Sequence, residues 1–381
     1  MREHVEIGQG RQALRHYELA DVAIVPTRRT RSSKDVDTTW HIDAYHFDVP
    51  LIAHPTDALV DIPFAAEFQR LGGLAPLNVE GLWGRHANAE EELAALADVA
   101  NTDPQAAMRK LRELHAAPLN VELISERIAK MRDSGMTVAV RVTPQQAREL
   151  APVVVKAGAE ILFIQGTVIS AEHVATDGQP LNLKEFIGTL DVPVICGGVY
   201  DYTTALHLMR TGAAGVIVGG GENLQAASMG IGVGMATAIA DVAAARRDYL
   251  DETAGRYVHV ICDSEEVFTS ADVVKAIACG ADAVVLGRPL AIAEEAAAKG
   301  AFWTHASAHP RFPRFEVEGH MAAMFGDERI DDGAVTLETL LHGPSTAADG
   351  TQNFVGALKR AMGKCGYTDV KQFQKVALAV R

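Results

Sequence analysis

The side chains best suited to chemistry in this chain stand just beyond short apolar runs. They are His54 and Thr56, Asn78, Arg141, Gln165 with Thr167, Gly197-Gly198, Gly219-Gly220-Gly221, Asp263, and Gly287-Arg288. The glycine pairs and triplet let a backbone turn sharply or approach a ligand closely. Asp263 has the carboxylate to accept both hydroxyls of a ribose; it equally has the chemistry of an N-terminal cap for a following helix. Arg288 can clamp a phosphate through two parallel N–H donors or serve in a surface ion pair. Ser264-Glu265-Glu266 would set two carboxylates near that phosphate, which is unfavourable unless they point away. The basic stretch Arg28–Lys34 reads as a solvated loop or a phosphate contact. Four cysteines, Cys196, Cys262, Cys279 and Cys365, show no paired spacing and read as small buried hydrophobes.

Positioning these groups requires a repeated unit. Gly158-Ala-Glu-Ile-Leu-Phe-Ile164, Gly212-Ala-Ala-Gly-Val-Ile-Val218 and Gly280-Ala-Asp-Ala-Val-Val-Leu286 each follow a helical pattern (145–156, 202–210, 270–279) and each ends in a β-branched run. Gly at a helix C-terminus followed by a buried strand is the signature of wound β/α units. Strands are expected at 49–54, 72–78, 137–142, 161–165, 192–196, 216–219, 257–262 and 283–287. Helices are expected near 62–70, 89–99, 104–115 and 121–132, and again over 291–300 and 351–362. Eight such strands predict an α/β fold, a (β/α)8 TIM barrel, with an open doubly wound sheet as the alternative. One domain is expected over 1–381: a barrel core at about 49–300, then an irregular flap rich in Pro and His (302–343) and a helical tail.

Apolar residues make up 48% and charged residues 22%, the balance of a soluble globular protein. A net charge of −14 argues against a nucleic-acid partner, which demands a basic footprint. The charged N-terminus does not read as a signal peptide, and no apolar run reaches a membrane span, so a cytoplasmic protein is expected.

In order along the chain, Pro50-Leu-Ile-Ala-His-Pro-Thr-Asp-Ala-Leu59, Leu71-Gly-Gly-Leu-Ala-Pro-Leu-Asn78, Gly212–Gly221, Gly230-Ile-Gly-Val233, Ala236–Asp241, Arg256-Tyr-Val-His-Val-Ile-Cys-Asp263, Ala278–Gly287 and Asn353–Met362 resemble the IMP dehydrogenase/GMP reductase family. The closest likeness is to its short, "IMP dehydrogenase-related" branch of actinobacteria and cyanobacteria. That branch lacks the regulatory CBS pair, which residues 79–135 are too short to hold. The resemblance implies NAD-dependent oxidation of IMP to XMP, a step of guanine nucleotide biosynthesis, in a homotetramer or larger homo-oligomer. It implies a cysteine thiolate in the loop after the sixth strand, a bound monovalent cation and a flap carrying an Arg-Tyr pair. By position, His54, Thr56, Gly219, Gly220, Gly221, Asp263, Gly287 and Arg288 would hold the substrate nucleotide. Gln165, Thr167, Gly197 and Gly198 would face the dinucleotide.

The chain departs from the family where the chemistry lies. The loop Gly219–Val233 contains no cysteine; Asn223 stands at the aligned position, and Ser228 is its one hydroxyl. Ser264-Glu265 replaces the Gly-Gly after the ribose-binding Asp, and Gln165 replaces an acidic residue. The flap carries Arg311, Arg314 and Arg329 but no Arg-Tyr pair. An active dehydrogenase with altered chemistry and a nucleotide-binding protein that has lost turnover are both consistent with this pattern. A third possibility is a different phosphorylated ligand, such as a flavin nucleotide.

Overall fold

A computed structural model describes residues 3–171, 173–174, 180–221, 229–321, 335–345 and 352–381. Its central feature is an eight-stranded parallel sheet. We number the barrel strands β1 (Leu51–Ala53), β2 (Leu77–Asn78), β3 (Ala139–Val142), β4 (Ile161–Gln165), β5 (Val194–Val199), β6 (Gly215–Gly219), β7 (His259–Asp263) and β8 (Ala283–Leu286). The hydrogen-bonded order runs β1-β8-β7-β6-β5-β4-β3-β2. Leu74 closes the ring: it bridges Ile52, accepts from Ala53 N at 2.9 Å and donates to Leu51 O at 3.0 Å. The fold is the expected TIM barrel.

The repeated glycines do what their position demands. Gly158, Gly212 and Gly280 hold φ of 122°, 100° and 126°, each just after a helix and just before β4, β6 or β8. Asp61, Asp103, Asn120 and Asp201 cap helix N-termini with side-chain oxygens. Those helices run over Ile62–Arg70, Pro104–His115, Val121–Asp133 and Tyr202–Met209. Two expectations change. Residues 291–300 form successive tight turns, because the amides of Ala297 and Ala298 donate to Leu59 O and Ala58 O on the β1 side. The expected irregular flap contains the helix Leu337–His342.

Inside the barrel, Ile52, Leu74, Ala139, Ile161, Phe163, Ile195, Ile217, Ile261, Ala283 and Val285 form one cluster. The hairpin Trp40–Ile42/Tyr45–Phe47 plugs its N-terminal end with Trp40, Ile42 and Phe47. With a period of two along each strand, the next inward positions at the C-terminal end are His54, Gln165, Gly197, Gly219, Asp263 and Gly287. The strand period, phased by this interior cluster, therefore places polar groups and glycines together at one mouth.

Candidate active site at the C-terminal mouth of the barrel

The centre of the mouth is a hydrogen-bonded cluster drawn from three strands. Gln165 Nε2 at the end of β4 donates to Asp263 Oδ2 at 2.5 Å, and His54 Nδ1, beyond β1, lies 3.3 Å from Asp263 Oδ1. All three side chains are buried. Asp263 is not a helix cap; the helix Ser270–Cys279 is capped by Thr269. This leaves the ribose-type role open to Asp263.

Gly219 and Gly221 fold over this cluster with φ of 88° and 72°, and Gly221 N donates to Asp263 O at 3.0 Å. A Cβ on Gly221 would stand 2.6 Å from the His54 ring, so glycine is required for this approach. Gly220 borders the open side of the mouth beside Gly166 and Thr167. Gly197 and Gly198 meet Ile217 and Gly219 O of the neighbouring strand; the space a side chain would need there is filled by the chain itself. Thr56 Oγ1 donates to Trp303 O at 2.6 Å, fastening the segment after β8 to the end of β1. Asn223, Ser228 and Arg329 lie outside the described residues.

The mouth has two unlike halves. On the β1–β4 side a cavity of about 380 Å³ is lined by His54, Glu80, Arg141, Gln165, His305 and Arg314, among others. Arg141 is buried, its Nη2 donating to Gln165 O at 2.9 Å. The Glu80 carboxylate accepts from the Thr143 amide and, at 3.0 Å, from its hydroxyl. Arg314 Nη2 reaches Thr167 Oγ1 at 2.9 Å. Burial first, and then the charge of Arg141, hold the His305 imidazole well below its usual pKa, so the ring is neutral. Among the described residues its Nδ1 is buried without a hydrogen-bond partner. A second cavity, of about 580 Å³, continues past Gln145, Gly166 and Thr167 toward Leu181 and Leu183. On the β7–β8 side the described residues enclose a small cavity of about 20 Å³. There Arg288 is engaged by Glu318 and Glu265.

The thiols are elsewhere. Cys196 and Cys262 alternate with the inward residues of β5 and β7, so they face the surrounding helices and join the outer core. Burial pushes Cys196 up to about 12 and Cys262 well above an ordinary thiol, where the Asp263 charge adds to the effect. Cys279 is raised to about 11 by burial, and Cys365 is raised by the same cause. All four are free and buried. None has the exposure or lowered pKa of a reactive thiolate.

Sequence reasoning singled out His54, Gln165 and Asp263 and the structure brings them into contact. It left Glu80, Thr143 and His305 out of the site. Their only signal was position: Glu80 and Thr143 follow the ends of β2 and β3, and His305 falls in the His-rich segment after β8.

A closed parallel barrel with a carboxylate-centred polar mouth and glycine-lined strand ends defines a (β/α)8 protein with a candidate site at its C-terminal mouth. Residues 16–381 match the IMP dehydrogenase/GMP reductase domain, and the chain belongs to that family. A crystal structure of an IMP dehydrogenase/GMP reductase-like protein from Corynebacterium glutamicum is 63% identical with a TM-score of 0.92, covering 99% of this chain and 98% of that one. A protein of Mycolicibacterium smegmatis named an uncharacterized oxidoreductase is 58% identical over 99% of both chains. The inosine-5'-monophosphate dehydrogenase of Tritrichomonas foetus is 28% identical over 63% of this chain and 48% of its own length.

Proposed function

We propose that the protein is an NAD-linked oxidoreductase acting on a purine nucleotide, oxidising IMP to XMP by a route without a thiolate. The observation that carries this reading is the His54–Asp263–Gln165 cluster at the centre of the mouth. Asp263 accepts the ribose hydroxyls. His54, with Nδ1 turned toward Asp263, keeps its other ring nitrogen to take a proton from water as the water oxygen bonds to C2 of the purine. When bound, NAD supplies the acceptor for the hydride that leaves C2. The sum is IMP, water and NAD going to XMP, NADH and a proton. The two adjoining cavities on the β1–β4 side, polar near Gln165 and Arg314 and more apolar near Leu181, suit an extended dinucleotide. The assembly we propose is a homotetramer or larger homo-oligomer in the cytoplasm.

The test is NADH formation at 340 nm with IMP and NAD, with XMP identified by mass. Turnover that persists in Cys196→Ala and Cys262→Ala supports the thiol-free route; turnover abolished by either change refutes it. A second reading has its own support in the four buried thiols: a nucleotide-binding protein that does not turn over. Calorimetric binding of IMP with no NADH would select it.

A further inference from the structure

Phosphate often binds at the β7–β8 end of such barrels. Here that end holds the chain's own acid. Arg288 donates to Glu318 through Nε at 2.7 Å and Nη2 at 3.0 Å, a bidentate pair of the geometry a phosphate would use. The guanidinium stacks on Phe315 at 4.5 Å, and Glu265 stands 3.9 Å from its third nitrogen. Glu318 is held in place by two backbone hydrogen bonds with Phe302, both 2.8 Å. Phe302 in turn sits over Gly287, where an added Cβ would be 3.0 Å from the ring. The roughly 20 Å³ left between Asp263, Ser264, Arg288 and Phe302 has room for about one water.

We propose that Glu318 is a specificity-determining residue: its carboxylate competes with a ligand's phosphate for Arg288, and so sets the balance between phosphate-bearing and phosphate-free purine ligands. This rests on the purine reading above. A phosphate presents the same fork of oxygens with more charge, so it can take the guanidinium over. It then leaves Glu318 unpaired beside Glu265. The contact between Phe302 and Glu318 must loosen for the phosphate to enter. A purine nucleoside makes no such demand, because its ribose needs only Asp263.

The experiment is calorimetry of IMP and of inosine with the full-length protein and with Glu318→Gln, folding being checked by thermal melting. The expected result is an IMP Kd lowered about tenfold in the variant, with the inosine Kd moved by less than twofold. Glu318→Asp, which withdraws the charge by one methylene, provides the same comparison should the glutamine variant not fold. Equal IMP affinity in wild type and variant sinks the role of Glu318 and leaves the IMP reading standing. Parallel gains for IMP and inosine also sink it, since they report a general opening of the mouth. Failure of both ligands to bind either protein overturns this proposal and the purine reading together.

Discussion

At the residue scale, what decides function is which face of a strand a side chain occupies. Cys262 and Asp263 are neighbours, yet one packs against helices and the other centres the mouth. Strands buried on both faces read as continuous apolar runs, so their phase is hidden in the sequence. Asp263 was legible because a carboxylate ending such a run has to be satisfied somewhere. His54 and Gln165 were also legible as strand-end residues, but their pairing with Asp263 was not, because Gln165 is 98 residues away and His54 is 209. The ribose-binding role proposed for Asp263 gives a direct expectation. Asp263→Asn retains an oxygen for Gln165 and a shape that fits, but loses the charge that strengthens its bonds to ribose hydroxyls. A hydrogen bond to a charged group contributes about 1.5–3 kcal/mol, so the Kd of IMP should rise roughly 10- to 160-fold. Inosine should weaken by the same factor, unlike the response to Glu318→Gln. Unchanged calorimetric affinities would assign Asp263 to scaffolding alone.

At the scale of elements, helix ends and strands were legible where local chemistry sets them: the glycines at 158, 212 and 280, each ending a helix before a strand. The stretch 291–300 was misread because tertiary hydrogen bonds to the β1 loop outweigh the helix propensity of its alanines. Nothing local announced how residues 17–21 dock, and that docking has a titratable joint. Glu18 Oε2 accepts from Met235 N at 3.0 Å, at the start of the helix Met235–Glu252. Glu266, in the loop after β7, accepts from Leu19 N at 3.2 Å. Burial, and then the hydrogen bond and charge of Glu18, raise Glu266 to about 8; Glu265 adds to the repulsion. The sign follows from the raised value. The folded protein holds a proton that the unfolded chain releases near 4.5. This stabilisation is therefore complete below about pH 4.5, is lost as pH rises to about 8, and is flat beyond. Glu266→Gln keeps an acceptor for Leu19 and a donor for Glu18 without the titration. Its melting temperature, followed from about pH 5 to 9, should fall less steeply than that of wild type. Parallel curves would remove Glu266 from the account.

At the scale of the whole molecule, the two ends of the barrel divide stability from chemistry. The mouth keeps buried polar groups, tight glycine contacts and open volume. The opposite end is sealed by the hairpin of Trp40–Phe47, whose role is invisible in the sequence because its partners come from strands spread over more than two hundred residues. Trp40 is 4% exposed, stacks on Phe47 at 5.3 Å and donates from Nε1 to His259 Nδ1 at 3.2 Å. Burial keeps His259 below its usual pKa, so it remains a neutral acceptor for that bond. Trp40→Ala would open a cavity at the floor of the barrel and strip His259 of its donor. Substitutions of this kind cost about 3–5 kcal/mol, which urea denaturation should resolve as a lower midpoint. Ile52, Phe163, Ile217 and Ile261 form the layer between that floor and the mouth, and their packing does not depend on Trp40 alone. IMP affinity, measured where the variant is still folded, should therefore match wild type. A matching loss of affinity would mean that the floor and the mouth are one cooperative unit, and that the layer between them transmits strain.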